Sequence, residues 1–104
     1  MTGPAGEDGY FTAATHRTGA CWPIEAGEGL GIQAPRESGE IVIAAGARWY
    51  SDDTCETEIV ERELRLFGND PRSDGSWFVY VANDSSSDRY VRAVSWAAAT
   101  SSAP

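Results

Sequence analysis

The segment ARWYSDDTCE, at residues 47–56, concentrates side chains that could recognise a partner. Tyr, Trp and Arg are the residue types that most often dominate the binding energy of protein–protein interfaces. Because successive residues of a strand face opposite sides of a sheet, one of the two adjacent rings is expected inside and the other exposed. The alternative is a sheet corner whose rings only cover the core. The predicted binding site consists of Arg48, Trp49, Tyr50, Asp52 and Asp53.

Cys21 and Cys55 are the only cysteines of the chain, and both lie among polar or turn-forming residues. With the single histidine, His16, they do not complete a four-ligand metal site. We predict instead a disulfide, which would stabilise a small domain by about 3–4 kcal/mol by closing the span between the two residues. A disulfide indicates a secreted or extracytoplasmic protein, whereas free thiols would indicate the cytoplasm.

Arg48-Trp49-Tyr50, next to a cysteine-pinned corner, resembles the Trp-Arg-Tyr hairpin of the actinobacterial α-amylase inhibitors, which are small disulfide-pinned β proteins. The order of the three residues differs here, and two cysteines allow only one disulfide. The resemblance covers these few residues. It implies a secreted β inhibitor as a type, and it transfers no activity.

The sixteen acidic residues show no recognisable catalytic or metal-binding pattern. In the loop DPRSDG, at 70–75, Arg72 takes the third ligand position of a calcium loop and Val81 the twelfth, which excludes an EF-hand. His16 lies in a turn-like segment with no nucleophile motif beside it. We therefore predict no catalytic residue, no metal and no cofactor. A pair of carboxylates acting as in a glycosidase keeps an enzymatic alternative open.

Charge and aromatic content limit the class of partner. The formal net charge is −8, and nucleic acids and anionic lipids require clustered basic residues, so neither is expected to bind. No apolar run approaches the eighteen or so residues of a membrane helix, so no membrane contact is predicted. A protein partner is expected, with carbohydrate second. Exposed tryptophans would suit sugar stacking, unless most of the four are core residues.

Turn-forming residues recur at short intervals, and the runs between them are rich in β-branched and aromatic residues. Regularly spaced short strands indicate an all-β fold, here a small single-domain antiparallel sandwich or barrel. The runs at 76–82 and 89–97 alternate best, which predicts that they pair as a hairpin. The predicted strands are 10–15, 29–34, 40–50, 76–82 and 89–97.

The segment 52–71 supports two interpretations. Helix-end signals and Glu–Arg pairs at i,i+4 spacing predict a helix at about 54–67, which would make the fold α+β. Against the helix, Glu63 would fall within its apolar face. The neighbouring strand-like runs favour a strand instead, with one apolar face formed by Val60, Leu64 and Leu66.

The chain is predicted to form one globular domain at 10–97, between a disordered lead-in at 1–9 and a flexible tail at 98–104. We expect a non-enzymatic acidic β module, secreted, that binds or inhibits another protein or enzyme. One alternative is a small β-barrel enzyme or a ligand- or carbohydrate-binding protein. A second alternative is a virion or coat subunit.

Overall fold

A computed structural model describes residues 11–100 of the chain, and the environments of side chains 14–99. These residues form two antiparallel sheets, and no helix occurs among them. The predicted all-β class is therefore confirmed. The eight strands are β1 (Phe11–Thr18), β2 (Trp22–Ile24), β3 (Gly29–Gln33), β4 (Glu40–Tyr50), β5 (Glu58–Ile59), β6 (Leu64–Pro71), β7 (Trp77–Asn83) and β8 (Arg89–Thr100).

The predicted domain boundaries fall partly outside this range. The lead-in at 1–9 and the last four residues of the predicted tail lie outside the described residues. Strand β8 continues to Thr100, past the predicted domain end at 97, and Ala98 is buried.

Sheet A has the strand order β1-β8-β4-β5. Strands β1 and β2 lie on the same side of β8, where β2 pairs with residues 89–91 and β1 with residues 94–100. Sheet B has the order β3-β7-β6. The predicted hairpin between 76–82 and 89–97 is wrong, because β7 belongs to sheet B and β8 to sheet A. Alternation determines which side chains face the core, but it does not determine the partner strand. The loop at 84–88 instead carries the chain from one sheet to the other.

The core lies between the two sheets and takes apolar side chains from both. Val79 and Val81 of the central strand of sheet B are completely buried, as is Val91 of sheet A. Trp49 packs in the same cluster. This arrangement is the sandwich form of the predicted architecture, in which inner-face residues alternate with outer-face residues along each strand.

The helix alternative at 54–67 is wrong. The segment contains the two-residue strand β5, a turn and the start of β6. Leu64 and Leu66 face inward as predicted for a strand, but Val60 lies in the turn and is 96% exposed. The charges that suggested helical pairs bond elsewhere, since Arg65 pairs with Asp84 and Glu61 pairs with Arg89.

Candidate functional site

The corner at 47–56 is stabilised by a disulfide and by hydrogen bonds to Asp52. The predicted disulfide between Cys21 and Cys55 is present, with 5.9 Å between the Cα atoms, and it joins the β1–β2 connection to the turn after β4. Asp52 accepts hydrogen bonds from the Thr54 hydroxyl at 2.6 Å and from the Thr57 amide at 2.8 Å. The hydrogen bond from the Thr54 hydroxyl, and next that from the Thr57 amide, lower the pKa of Asp52. Asp52 therefore closes the turn.

Both rings of the predicted site are buried, so the prediction that one of them is exposed is wrong. Trp49 is 9% exposed and faces the core between the sheets. Tyr50, on the opposite face of β4, is 7% exposed, with Tyr90 as its cross-strand neighbour and the Arg92 guanidinium 5.9 Å from its ring centroid. Alternation separates the rings as expected, but side chains of the neighbouring strand cover the outer one. A buried ring offers no surface to a partner.

The polar members of the predicted site remain at the surface. Arg48 is exposed and forms an ion pair of 3.2 Å with Glu58 across the β4–β5 ladder. Asp53 is exposed beside the disulfide, where its carbonyl oxygen lies 3.5 Å from the Sγ of Cys21. The structure therefore brings Arg48, Asp52 and Asp53 to one corner, while Trp49 and Tyr50 of the same segment are buried.

Strand β3 presents an open edge. It pairs only with β7 among the described strands. The Ala34 amide donates to the Trp77 carbonyl and the Asn83 amide donates to the Glu28 carbonyl, which fixes the alternation of the ladder. In an antiparallel pair every second residue bonds to the neighbouring strand. The N–H and C=O groups that point away from β7, toward the open edge, are therefore those of Gly29, Gly31 and Gln33.

The other sheet edges in the described part of the chain are interrupted or protected, as is common in natural sheets. Strand β6 has a bulge between Leu66 and Gly68 and ends in Pro71. Strand β4 has a bulge after Val42, whose amide donates to the Gly75 carbonyl. Strand β1 also has a bulge, β2 is three residues long and β5 is two. Among the edge strands of the described residues, only β3, with the sequence GLGIQ, has neither a bulge nor a proline nor a charged residue.

A groove of about 240 Å³ runs beside this edge. Trp22 forms one wall and is 48% exposed, although it belongs to a strand of sheet A. The groove is mainly apolar. We call it the β3 groove, and it is lined by Trp22, Leu30, Gly31, Ile32 and Gln33.

A buried asparagine positions the start of β3. Asn83 is completely buried, and its Nδ2 donates to the carbonyls of Ile24 at 3.0 Å and Ser87 at 2.9 Å. Its Oδ1 accepts from the amide and the hydroxyl of Ser85. This side chain therefore ties the end of β2 to the loop at 84–88, and the β2–β3 turn keeps a fixed position.

Two carboxylates accept hydrogen bonds from backbone amides of the β2–β3 turn. Glu28 Oε1 accepts from the Glu25 amide at 2.7 Å, and Asp88 Oδ1 accepts from the Ala26 amide at 3.1 Å. The neighbouring cation, Arg89, is bound to Glu61 through two side-chain hydrogen bonds. The start of β3, at Gly29, therefore lies beside a surface with net negative charge.

The outer face of sheet B also holds aromatic rings, but they contact one another and a cation. A Cβ at Gly31 would lie 2.9 Å from Cε1 of Tyr80, and one at Gly68 would lie 3.2 Å from its Cδ2, so the ring occupies space that these two glycines leave free. The Arg72 guanidinium lies 4.4 Å from the centroid of the Phe78 ring. This face is thus partly covered by its own side chains.

On the outer face of sheet A, Trp96 is 48% exposed and its ring centroid lies 5.0 Å from that of His16. The two residues are cross-strand neighbours of β8 and β1. The small residues Ala44 and Gly46 border the pair and leave a cavity of about 140 Å³. Strand β1, which carries His16, is also an edge strand, but it contains a bulge and the charged residue Arg17.

The acidic groups with a shifted pKa are engaged in structural bonds. Arg17 binds both carboxylate oxygens of Glu40, at 2.8 and 2.6 Å, and this contact lowers the pKa of Glu40. The hydroxyl of Ser76 lowers the pKa of Asp74 in the same way. Within residues 11–100, no group of three or more His, Cys, Asp or Glu side chains could hold a metal ion. No helix in that range is long and apolar enough to cross a membrane.

The chain matches no family model, and comparisons with curated proteins and with solved structures return no significant match. The site is therefore defined by its geometry alone. The sequence predicts a strand at 29–34, but no local pattern connects that strand with Trp22. The one signal in the sequence is the composition of GLGIQ, which lacks the charged residues and the proline that protect edge strands.

Proposed function

We propose that this domain is a non-catalytic binding module that captures another protein at the β3 groove. The observation that supports the proposal most directly is the half-exposed Trp22 beside the open backbone edge of β3. Tryptophan is strongly enriched among the residues that dominate binding energy, and a ring that is already positioned loses little entropy on binding.

The size of the groove favours a protein segment over a small molecule. Its volume of about 240 Å³ lies below the range of roughly 300–1,000 Å³ that is usual for small-molecule sites. One or two side chains of a longer segment would fill it, while the rest of the segment contacts the surface outside. The disulfide favours an oxidising compartment, so we propose that the partner is encountered outside the cytoplasm.

A peptide selection with two tryptophan variants tests this function. A phage-displayed library of random twelve-residue peptides is panned against the oxidised domain, and enriched peptides are synthesised and titrated. We expect Trp22→Ala to weaken their binding at least tenfold, which is about 1.4 kcal/mol. Trp96→Ala is the matched control, because Trp96 is exposed to the same extent, 48%, on a different face. It should bind as the parent does.

Thermal unfolding of both variants checks that they remain folded. Two outcomes would contradict the proposed function. One is a failure of the selection to enrich any peptide that binds in solution. The other is equal affinity of the enriched peptides for the parent and for Trp22→Ala.

A further inference from the structure

We infer that the partner segment binds as an added β-strand along β3, and that it carries basic residues where it passes the β2–β3 turn. The inference rests on the proposed function and specifies the conformation and charge of the partner. In strand addition, main-chain hydrogen bonds provide affinity and pockets for alternate side chains provide specificity. Strand β3 offers both elements, a regular row of backbone groups and the apolar β3 groove.

The backbone row is regular. Gly29, Gly31 and Gln33 are exposed, and alternation directs their N–H and C=O groups away from β7. An incoming strand could bond to all three residues, while its alternate side chains turn toward Trp22 and Ile32.

The carboxylates beside the β2–β3 turn favour a partner segment with basic residues. Glu25, Glu28 and Asp88 lie at the start of β3, and the nearby Arg89 is already paired with Glu61. The whole chain has a formal net charge of −8. A second copy of the chain would carry the same net charge to the interface, so β3–β3 pairing between copies is disfavoured. A strand with Lys or Arg beside the turn complements these carboxylates.

A proline substitution at the edge tests the strand geometry. Gln33→Pro removes an outward N–H together with the Gln33 side chain, and it breaks no bond to β7, because the Gln33 amide points away from that strand. We expect at least a tenfold loss of affinity for the selected peptides. Gln33→Ala is the comparison variant, because it removes the same side chain but keeps the amide, and it should bind the peptides at least tenfold more tightly than Gln33→Pro does.

N-methylation of the peptide gives a test that leaves the protein unchanged. In a strand paired at one edge, alternate amides bond to the neighbour and the others point away. One alternating set of N-methyl groups should therefore abolish binding, and the complementary set should preserve it. Equal tolerance of both sets would overturn strand addition even if Gln33→Pro unfolds.

Charge is tested with the double variant Glu25→Gln/Glu28→Gln. The enriched peptides should contain an excess of Lys and Arg, and the double variant should bind them several-fold more weakly at low salt. Enrichment of neutral or acidic peptides would overturn this part of the inference. A parent dimer in gel filtration that Gln33→Pro converts to a monomer would assign the edge to a second copy and overturn it as well.

The two proposals fail in different ways. If Trp22→Ala weakens binding but Gln33→Pro and both N-methyl sets have no effect, the groove binds a partner in another conformation. The proposed function would then stand and the strand inference would fall. If Trp22→Ala has no effect, both fail.

Discussion

Replacing the buried Asn83 by Asp should destabilise the domain strongly and in a pH-dependent manner. The substitution keeps the shape of the side chain but removes the Nδ2 donor, which bonds to the carbonyls of Ile24 at 3.0 Å and Ser87 at 2.9 Å. A buried acceptor left without its donor costs about 1–3 kcal/mol, so two such losses give a destabilisation of about 4 kcal/mol. That is a large part of the 5–15 kcal/mol typical of a small domain.

The pH dependence follows from the same contacts. A carboxylate facing two carbonyl oxygens is unfavourable, so the folded variant takes up a proton more readily than the unfolded chain does. When the folded state binds more protons, stability rises as the pH falls. The deficit of the variant should therefore shrink between pH 7 and pH 5.

Urea unfolding of the oxidised protein at several pH values measures both effects. Asn69→Asp is the matched control, because Asn69 is exposed and its Oδ1 only accepts a bond from the Trp77 indole at 3.0 Å, which a carboxylate also can do. We expect this control to stay within about 0.5 kcal/mol of the parent. If the two variants lose the same small amount of stability, the reasoning about Asn83 is refuted.

Lowering the pH below about 4 should destabilise the parent protein, because Glu40, Asp52 and Asp74 have a lowered pKa and stabilise the fold only while they are ionised. The urea concentration at the unfolding midpoint, measured at several pH values, tests this. Trp49→Ala should lower the free energy of unfolding in urea by about 3–5 kcal/mol, because Trp49 is a core residue. Arg48→Ala should lower it by less than about 1 kcal/mol, because only an exposed ion pair is lost. Similar losses for the two variants would contradict the burial of Trp49. Reduction of the disulfide should lower stability by about 3–4 kcal/mol, and an unchanged unfolding midpoint in reductant would show that the bridge constrains little. In hydrogen exchange, the amides of Val79 and Val91 should be among the slowest, because β7 and β8 are each flanked by strands on both sides; fast exchange there would contradict the sheet orders.

Local patterns in the sequence predicted the longer strands, but not the short strands β2 and β5. The alternation of Trp77, Val79 and Val81 places these side chains toward the core, as observed. The disulfide between Cys21 and Cys55 was also predictable, because two cysteines in turn-like settings of a small domain have few other uses. These features depend only on the residue and its near neighbours along the chain.

Features that depend on distant strands were not predictable. The two best alternating runs could pair with each other or with other strands, and periodicity is the same in both cases. Tyr50 is buried because Tyr90 and Arg92 of another strand lie beside it, which no local pattern indicates. Likewise, β3 becomes an edge only through the strand order of sheet B. The β3 groove therefore depends on the strand order of sheet B, whereas both rings of the corner predicted from residue types are buried.

The central claim is that a partner binds along β3 beside Trp22, and amide hydrogen exchange measures this most directly. In the free domain the outward amides of Gly29, Gly31 and Gln33 should exchange fast, since they point away from β7. With a saturating selected peptide, at least two of these three amides should become protected at least tenfold, while the exposed residues of the 51–54 turn stay unchanged. Unchanged exchange along β3, with new protection at 48–53 instead, would contradict the account and return the binding site to the corner.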